Sequence, residues 1–235
     1  MIYKKFSQVI KKLINNKNIM IFDVGANRGQ SIDYFKKIYP TSIIHSFEPV
    51  KEEYQKLIHN YKSKSIFLNN EGVGDSNKPL EFYTTKGTAH SSFLKTSPNT
   101  PWLKKRARYW NTISKNFIIK VEKIKMITLD EYCKKKNISG IDILKIDTEG
   151  FEDRVLQGAK NLLNNNRIKL IMTEIKMDKT HGKPNSFFDI EKYLVKNNFR
   201  AYALEILGNG FVSRLNDSFG CDILYFNENF KKPNT

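Results

Sequence analysis

The sequence predicts an α/β fold built on a doubly wound, mostly parallel sheet, and three observations carry that prediction. In the first, the strand-forming run Ile19-Met20-Ile21-Phe22 leads into Asp23. A turn bracketed by Gly25 and Gly29 follows, and then a helical stretch over 30–39. Such a strand–turn–helix unit lets a small anionic or zwitterionic ligand approach the backbone closely. Second, Glu48 stands 25 residues after Asp23 at the end of a strand-like stretch over 42–47. An acid there in a doubly wound fold is placed to accept from ribose hydroxyls, so the expected ligand contains a nucleoside. Third, the strand–helix alternation returns at 142–163 after a β-rich interruption. The glycines read D-x-G-x-x-x-G, so the dinucleotide fingerprint G-x-G-x-x-G is not met.

Element by element, residues 2–14 place Ile2, Phe6, Val9, Ile10, Leu13 and Ile14 near one helical face with lysines between them. An amphipathic helix over 1–18, packed on the domain, is expected; a membrane-surface helix has the same pattern. A helix over 52–61 with Tyr54, Leu57, Ile58 and Tyr61 on its buried side follows the second strand, and 65–69 forms a short third strand. Stretches 80–84 and 117–127 read as antiparallel strands flanking an insertion at about 80–127, too long for a simple turn. Thr128-Leu129-Asp130-Glu131 is a capping-box signature opening a helix. A buried-type strand over 142–146, a helix over 151–163, a strand over 169–175 and a helix over 187–196 restore the rhythm. The chain then reads as a hairpin, 201–206 and 222–226, across the turn Gly208-Asn209-Gly210. Residues 19–235 therefore form one expected domain, its sheet closed by an antiparallel pair.

The chain of 235 residues is 40% hydrophobic, which suits a globular protein and excludes a disordered one. No apolar run approaches the ~20 residues of a membrane span. The first residues lack the uninterrupted apolar stretch of a signal peptide, and Cys133 and Cys221 lie far apart. A cytoplasmic location is the resulting expectation. The net charge of +16 raises the question of a nucleic-acid or anionic membrane partner. Lysine far outnumbers arginine and is spread along the chain, a bias that an AT-rich genome produces without selection for binding. Nucleic acid is accordingly the weaker alternative, and peripheral membrane association and homo-oligomerisation stay open. The densest basic cluster, Lys104-Lys105-Arg106-Ala107-Arg108, adjoins Trp102, Tyr109 and Trp110. It would suit an acidic or nucleotide-linked acceptor, with the aromatics stacking on sugar rings or packing an interface.

Several segments carry a resemblance: IFDVGANRGQS (21–31), FEP (47–49), GVGD (72–75), SSF (91–93), TLDEY (128–132), DILKIDTEGFEDRVLQGA (142–159) and CDILYF (221–226). In that order they resemble the FkbM-type family of S-adenosylmethionine-dependent methyltransferases. The resemblance implies a class I methyltransferase, Rossmann-like fold. Its sheet is seven-stranded and mixed, with helices on both faces, the last strand antiparallel and a β-rich insertion after strand three. It also implies O-methylation, often of sugars or natural-product hydroxyls.

Roles follow residue by residue. Backbone amides around Gly25, Ala26, Asn27 and Gly29 would face the methionine part of S-adenosylmethionine, with Asp23 holding its amino group. A carboxylate pairs with an ammonium but repels a pyrophosphate. Glu48, ahead of Pro49, would take the ribose hydroxyls. Asp75, after Gly74, could accept from the adenine amino group, although Gly-Asp-Ser-Asn is equally a turn sequence. Asp147 and Glu149 are catalytic candidates at the carboxyl end of a strand, where open α/β sheets place ligands. Glu149 could instead serve the start of the next helix. Glu174 could join the same rim as a substrate contact or pair with a lysine, and with Asp147 it could hold Mg²⁺ or Mn²⁺. His181 is a candidate base in a loop over the pocket. Ser91, Ser92, Arg106 and Arg108 are candidate acceptor contacts.

Overall fold

The structure is a computed structural model that describes residues 6–176, 186–206 and 220–231. Helix α1 (Phe6–Leu13) precedes β1 (Met20–Val24), α2 (Gln30–Ile38), β2 (Ile43–Phe47), α3 (Lys51–Asn60) and β3 (Ile66–Asn69). The short β4 (Gly72–Val73), β5 (Leu80–Thr85), α4 (Pro101–Tyr109), β6 (Ile118–Ile124) and β7 (Met126–Ile127) follow. After α5 (Leu129–Lys135) come β8 (Ile141–Ile146), α6 (Glu152–Gln157), α7 (Lys160–Asn164), β9 (Ile168–Lys176), α8 (Phe187–Leu194), β10 (Phe199–Ile206) and β11 (Gly220–Asn227).

Seven strands form one sheet in the order β10-β11-β9-β8-β1-β2-β3. The pairs β1–β2, β1–β8, β2–β3 and β8–β9 are parallel, whereas β11 runs antiparallel to both neighbours. That is the mixed sheet, with the last strand antiparallel, expected from the sequence. Because side chains alternate along a strand, each strand feeds both faces. Phe22, Phe47, Leu144 and Ile171 join α5 to α8 in one core layer; Ile21, Ile44, Ile143 and Leu224 join α1 to α3 in the other. The order of strands places the carboxyl ends of β1, β2 and β8 side by side, where ligands bind in such sheets.

Helix α1 buries Phe6 and Ile10, and Ile14 beyond it is also buried, with the Tyr39 hydroxyl donating to the Ile14 carbonyl at 2.7 Å. Among the described residues of the apolar stripe read from the sequence, Phe6, Ile10 and Ile14 are therefore turned into the core, with Val9 and Leu13 packed against it. No helix among the described residues is long and apolar enough to cross a membrane. The expected antiparallel strands of the insertion are β5 and β6, but β6 stops at Ile124. Met126 and Ile127 form β7 instead, parallel to β4. Helix 151–163 is likewise two helices, broken at Gly158, where a Cβ would lie 1.9 Å from the Gly74 carbonyl oxygen. The Gly158 carbonyl turns outward to accept from the Asp130 amide at 3.0 Å. Close backbone approach thus overrode a helical apolar pattern. The turn at 208–210 lies outside the described residues.

Candidate active site

The loops after β1, β2, β3 and β8 meet the turn 88–93 of the insertion around a cleft of about 930 Å³ of empty space, its open mouth included. Gly25, Ala26, Asn27, Glu48, Pro49, Ser91, Asp147 and Glu149 line it, all singled out in the sequence. Phe47, Val50, Val73, Phe82 and Phe93 supply apolar walls.

Glu48 is 5% exposed and is the best-held acid of the cleft. Its Oε2 accepts from the Asn27 amide and its Oε1 from the Val50 amide, each at 2.7 Å. Burial pushes its carboxyl up to about 7, against the opposing pull of those two amides. Both oxygens keep a further lone pair for hydroxyl donors.

The glycine turn works differently from its sequence reading. The Gly25 and Ala26 amides donate to the Phe47 carbonyl at 3.1 and 3.0 Å, and the Gly29 amide donates to Ala26. The Gly25 and Ala26 amides, with the Asn27 amide on Glu48, tie the turn to the end of β2, and the Gly29 amide closes the turn on itself. Gly25 adopts φ +84°, and a Cβ there would meet the Asp147 carbonyl oxygen at 1.9 Å. Gly29 lies outside the cleft under Tyr61, whose hydroxyl donates to the Gly29 carbonyl at 3.0 Å.

Asp23 is fully buried and does not line the cleft. Its Oδ2 accepts from the Ser31 hydroxyl at 2.7 Å, and Lys145 Nζ stands 3.2 Å from Oδ1. The direct contact with a ligand ammonium is corrected accordingly: Asp23 lies behind the cleft, paired with Lys145. Sequence reading missed Lys145, although a lysine inside the buried-type strand 142–146 was its signal. The side chain is 4% exposed, lies 3.4 Å from Asp147 Oδ2 and donates to the Gly25 carbonyl at 2.9 Å. One cation thus fixes Asp23, Asp147 and the first turn together.

Gly74 and Asp75 are also displaced from the cleft. Asp75 accepts from Arg154 at 2.6 Å, and Gly74 packs against Met126 and Phe151. The acid that lines the cleft after β3 is Glu71, paired with Lys125. The neighbouring GVGD match drew attention past it.

Asp147 and Glu149, which line the cleft, and Glu174, which does not, bring one carboxylate oxygen each within 4.8 Å of one another. These side chains could supply three oxygens of an octahedral magnesium or manganese set. Glu149 sits at φ +57°, a left-handed conformation uncommon outside glycine, before Gly150 at φ +99°. Helix α6 has no side-chain cap, so Glu149 does not serve its start; Glu152 Oε1 instead braces the preceding turn, accepting from the Thr148 and Gly150 amides and the Thr148 hydroxyl. Glu149 lines the cleft, 3.6 Å from His90 Nδ1.

Ser91 lines the cleft and its hydroxyl accepts from the Thr85 amide at 3.0 Å. Ser92 is 1% exposed and structural, its hydroxyl donating to the Thr148 carbonyl at 3.3 Å and accepting from the Leu94 amide. Arg106 lies over Trp102, and neither it nor Arg108 lines the cleft. Trp102 is buried with Leu103, Ala107 and Phe117, so it is core and not a stacking platform. His45 is structural as well, stacked on Phe67, bonded to the Tyr132 hydroxyl and pushed down to about 4 by burial. His181 lies outside the described residues.

A family model described as the methyltransferase FkbM domain matches residues 23–201. A curated relative, the 2-O-methyltransferase NoeI of Sinorhizobium fredii, is 23% identical over 164 residues, or 69% of this chain. The chain spans 66% of that protein's length. Among solved structures, an rRNA methylase from Streptococcus thermophilus aligns at TM-score 0.50 with 10% identity, covering 95% of this chain and 94% of that one. At that identity the likeness is one of fold. M. capricolum TrmK in complex with S-adenosyl-homocysteine aligns at TM-score 0.49 with 14% identity, covering 94% of this chain and 67% of that one. The matched span runs from Asp23 through the strand pairings that build both walls of the cleft, and the chain belongs to the FkbM methyltransferase domain family, as an S-adenosylmethionine-dependent methyltransferase.

Proposed function

We propose that this methyltransferase acts on a hydroxyl group of a sugar, a glycan precursor or a related small molecule. The observation that carries the reading is the cluster of Asp147 and Glu149, both lining the cleft, with Glu174 beside them, within 4.8 Å of one another. A sugar hydroxyl is a poor acid, so its oxygen reacts fast only if a positioned group takes its proton as the new bond forms. NoeI, a 2-O-methyltransferase, supports the same reaction class.

The cleft also fits the cofactor chemically. Glu48 offers carboxylate oxygens to ribose hydroxyls, and Phe47, Val50, Val73, Phe82 and Phe93 offer apolar contacts to a base. The acids near Gly25 suit a sulfonium and an ammonium. S-adenosylmethionine supplies a methyl group on cationic sulfur, so the acceptor oxygen gains that methyl and loses a proton. Lys145 fixes Asp147 beside Gly25, which suits Asp147 to orienting the reacting groups. Glu149 lines the cleft next to it and receives the proton in this reading. Catalysis here is positioning plus proton transfer. The exposed basic face of α4, with Arg106 and Arg108, attracts an acidic or nucleotide-linked acceptor at longer range. A cytoplasmic small-molecule or glycan acceptor accords with this picture.

The test is transfer of labelled methyl across a hydroxyl-acceptor panel, with and without EDTA. Loss of transfer in Asp147→Ala with cofactor binding retained supports the assignment. Full activity in Asp147→Ala overturns it. Activity abolished by EDTA and restored by Mg²⁺ or Mn²⁺ would add a metal to the three-carboxylate end.

A further inference from the structure

We infer that His90 is a positioning residue for the reaction, orienting Glu149 from behind the cleft wall. The inference rests on the reading of Glu149 as proton acceptor. His90 was not among the residues the sequence singled out, and the fold brings it to Glu149 across 59 residues of chain. Its side chain is 18% exposed, with Nδ1 3.6 Å from Glu149 Oε1.

The ring is confined on its other sides. Trp102 meets it edge-on at 5.1 Å, and Phe117 lies 6.5 Å away. The His90 amide donates to the Gly87 carbonyl at 2.9 Å, which fixes the short turn that carries the ring. Nδ1 is buried and makes no hydrogen bond in this structure. An imidazole nitrogen left in that state is costly, and the polar atom facing it is the Glu149 carboxylate. A shift of a few tenths of an ångström closes 3.6 Å to a hydrogen bond.

Neutral imidazole can donate from either nitrogen, and the partner decides which. An Nδ1–H aimed at Oε1 holds the Glu149 carboxylate in place beside the cleft that Glu149 lines. The left-handed backbone at Glu149 already fixes where the side chain starts, and His90 fixes where it ends. Lys145 stands in the corresponding place beside Asp147, so Asp147 and Glu149 each have a basic side chain next to them.

Two measurements test this. The first reads the ring tautomer of His90 by ¹⁵N NMR; only four histidines are present, so assignment is direct. Protonated Nδ1 in the wild type, lost in Glu149→Ala, is expected. A tautomer unchanged in Glu149→Ala overturns the inference. The second compares His90→Leu with His90→Asn, whose side-chain amide can reproduce a donor at the Nδ1 position. His90→Leu is expected to lower kcat by roughly 10- to 100-fold, with cofactor Kd and acceptor KM little changed. His90→Asn is expected to recover most of that loss. Equal kcat in His90→Leu and wild type, or equal loss in both variants, overturns the inference. Failure of the underlying reading looks different, because the wild type itself would then transfer no methyl to any hydroxyl while the tautomer still responds to Glu149→Ala.

Discussion

The two walls of the cleft are made in different ways. The wall formed by the ends of β1, β2 and β8 is held by backbone. The amides of Gly25, Ala26, Asn27 and Asp147 are bonded to Phe47, Glu48 or Val24, so the positions of its residues follow from strand order. The opposite wall, from the insertion between β4 and β7, is held to the sheet by side chains. The Thr88 hydroxyl donates to Glu53 at 3.0 Å, Ser92 donates to the Thr148 carbonyl, and Phe93 packs on Gly72 and Phe151. A wall dictated by the sheet can serve a cofactor common to many enzymes. A wall attached by a few side chains can change with the acceptor while the sheet stays intact.

Perturbing the first wall should therefore damage the whole fold, and the largest effect is expected at Lys145. Lys145→Met leaves the fully buried Asp23 without its cation, and a loss of about 3–5 kcal/mol is expected by urea unfolding. A change below 1 kcal/mol would mean that the three-way tie adds little to the backbone bonds of this wall. Gly25→Ala follows, since it needs a left-handed alanine and a Cβ 1.9 Å from the Asp147 carbonyl oxygen. Destabilisation of at least about 2 kcal/mol is expected in the same assay, together with weakened cofactor binding.

Much of the first wall was legible because an acid at a strand end and a glycine beside it are local features. Glu48 and Asp147 stand where the strand pattern put them. What those features cannot show is which partner each group takes. The amides of the glycine turn were assigned to a ligand, yet the Phe47 carbonyl, brought in by parallel pairing, takes those of Gly25 and Ala26, and Glu48 takes that of Asn27. Asp75 and Glu71 lie four residues apart, and the partner that takes Asp75, Arg154, comes from 79 residues away. The second wall was the least legible. Arg106 and Arg108 were reasonable by composition, but Trp102 and Phe117 pull α4 into a core of its own; Ser92, suggested by the resemblance, is taken up by Thr148 and Leu94. The approach of His90 to Glu149 is a long-range contact with no local signature.

Glu48 sharpens the contrast through pH. Its carboxyl is raised by burial to about 7 from an ordinary 4.5. Its contribution to folding is fully present below about 4.5 and is lost as pH rises through about 7. Hydroxyls donated by a ribose favour the ionised form, so the sign for binding is the reverse. Cofactor affinity should fall up to about tenfold per pH unit below 7, with proton release on binding. Calorimetry at pH 6 in two buffers of different ionisation enthalpy checks this; a heat independent of buffer would contradict it.

The smallest effects belong to the second wall. Thr88→Val removes one hydrogen bond to a buried carboxylate, and about 1 kcal/mol of stability is expected to go with it. Acceptor KM should rise while cofactor Kd holds; a parallel loss of both would erase the distinction between the walls. Arg106→Ala with Arg108→Ala should leave stability within about 0.5 kcal/mol. If an acidic acceptor is drawn in by α4, its KM should rise in this double variant, and the rise should fade as salt increases.

The central claim is that the backbone-held wall binds an adenosyl cofactor through Glu48. It is tested most directly by calorimetric titration of wild type and Glu48→Ala with S-adenosylmethionine and S-adenosylhomocysteine. The account predicts micromolar binding, about −8 kcal/mol or better, weakened at least tenfold in Glu48→Ala. Equal affinity in the two proteins, or no binding to the wild type, would contradict it.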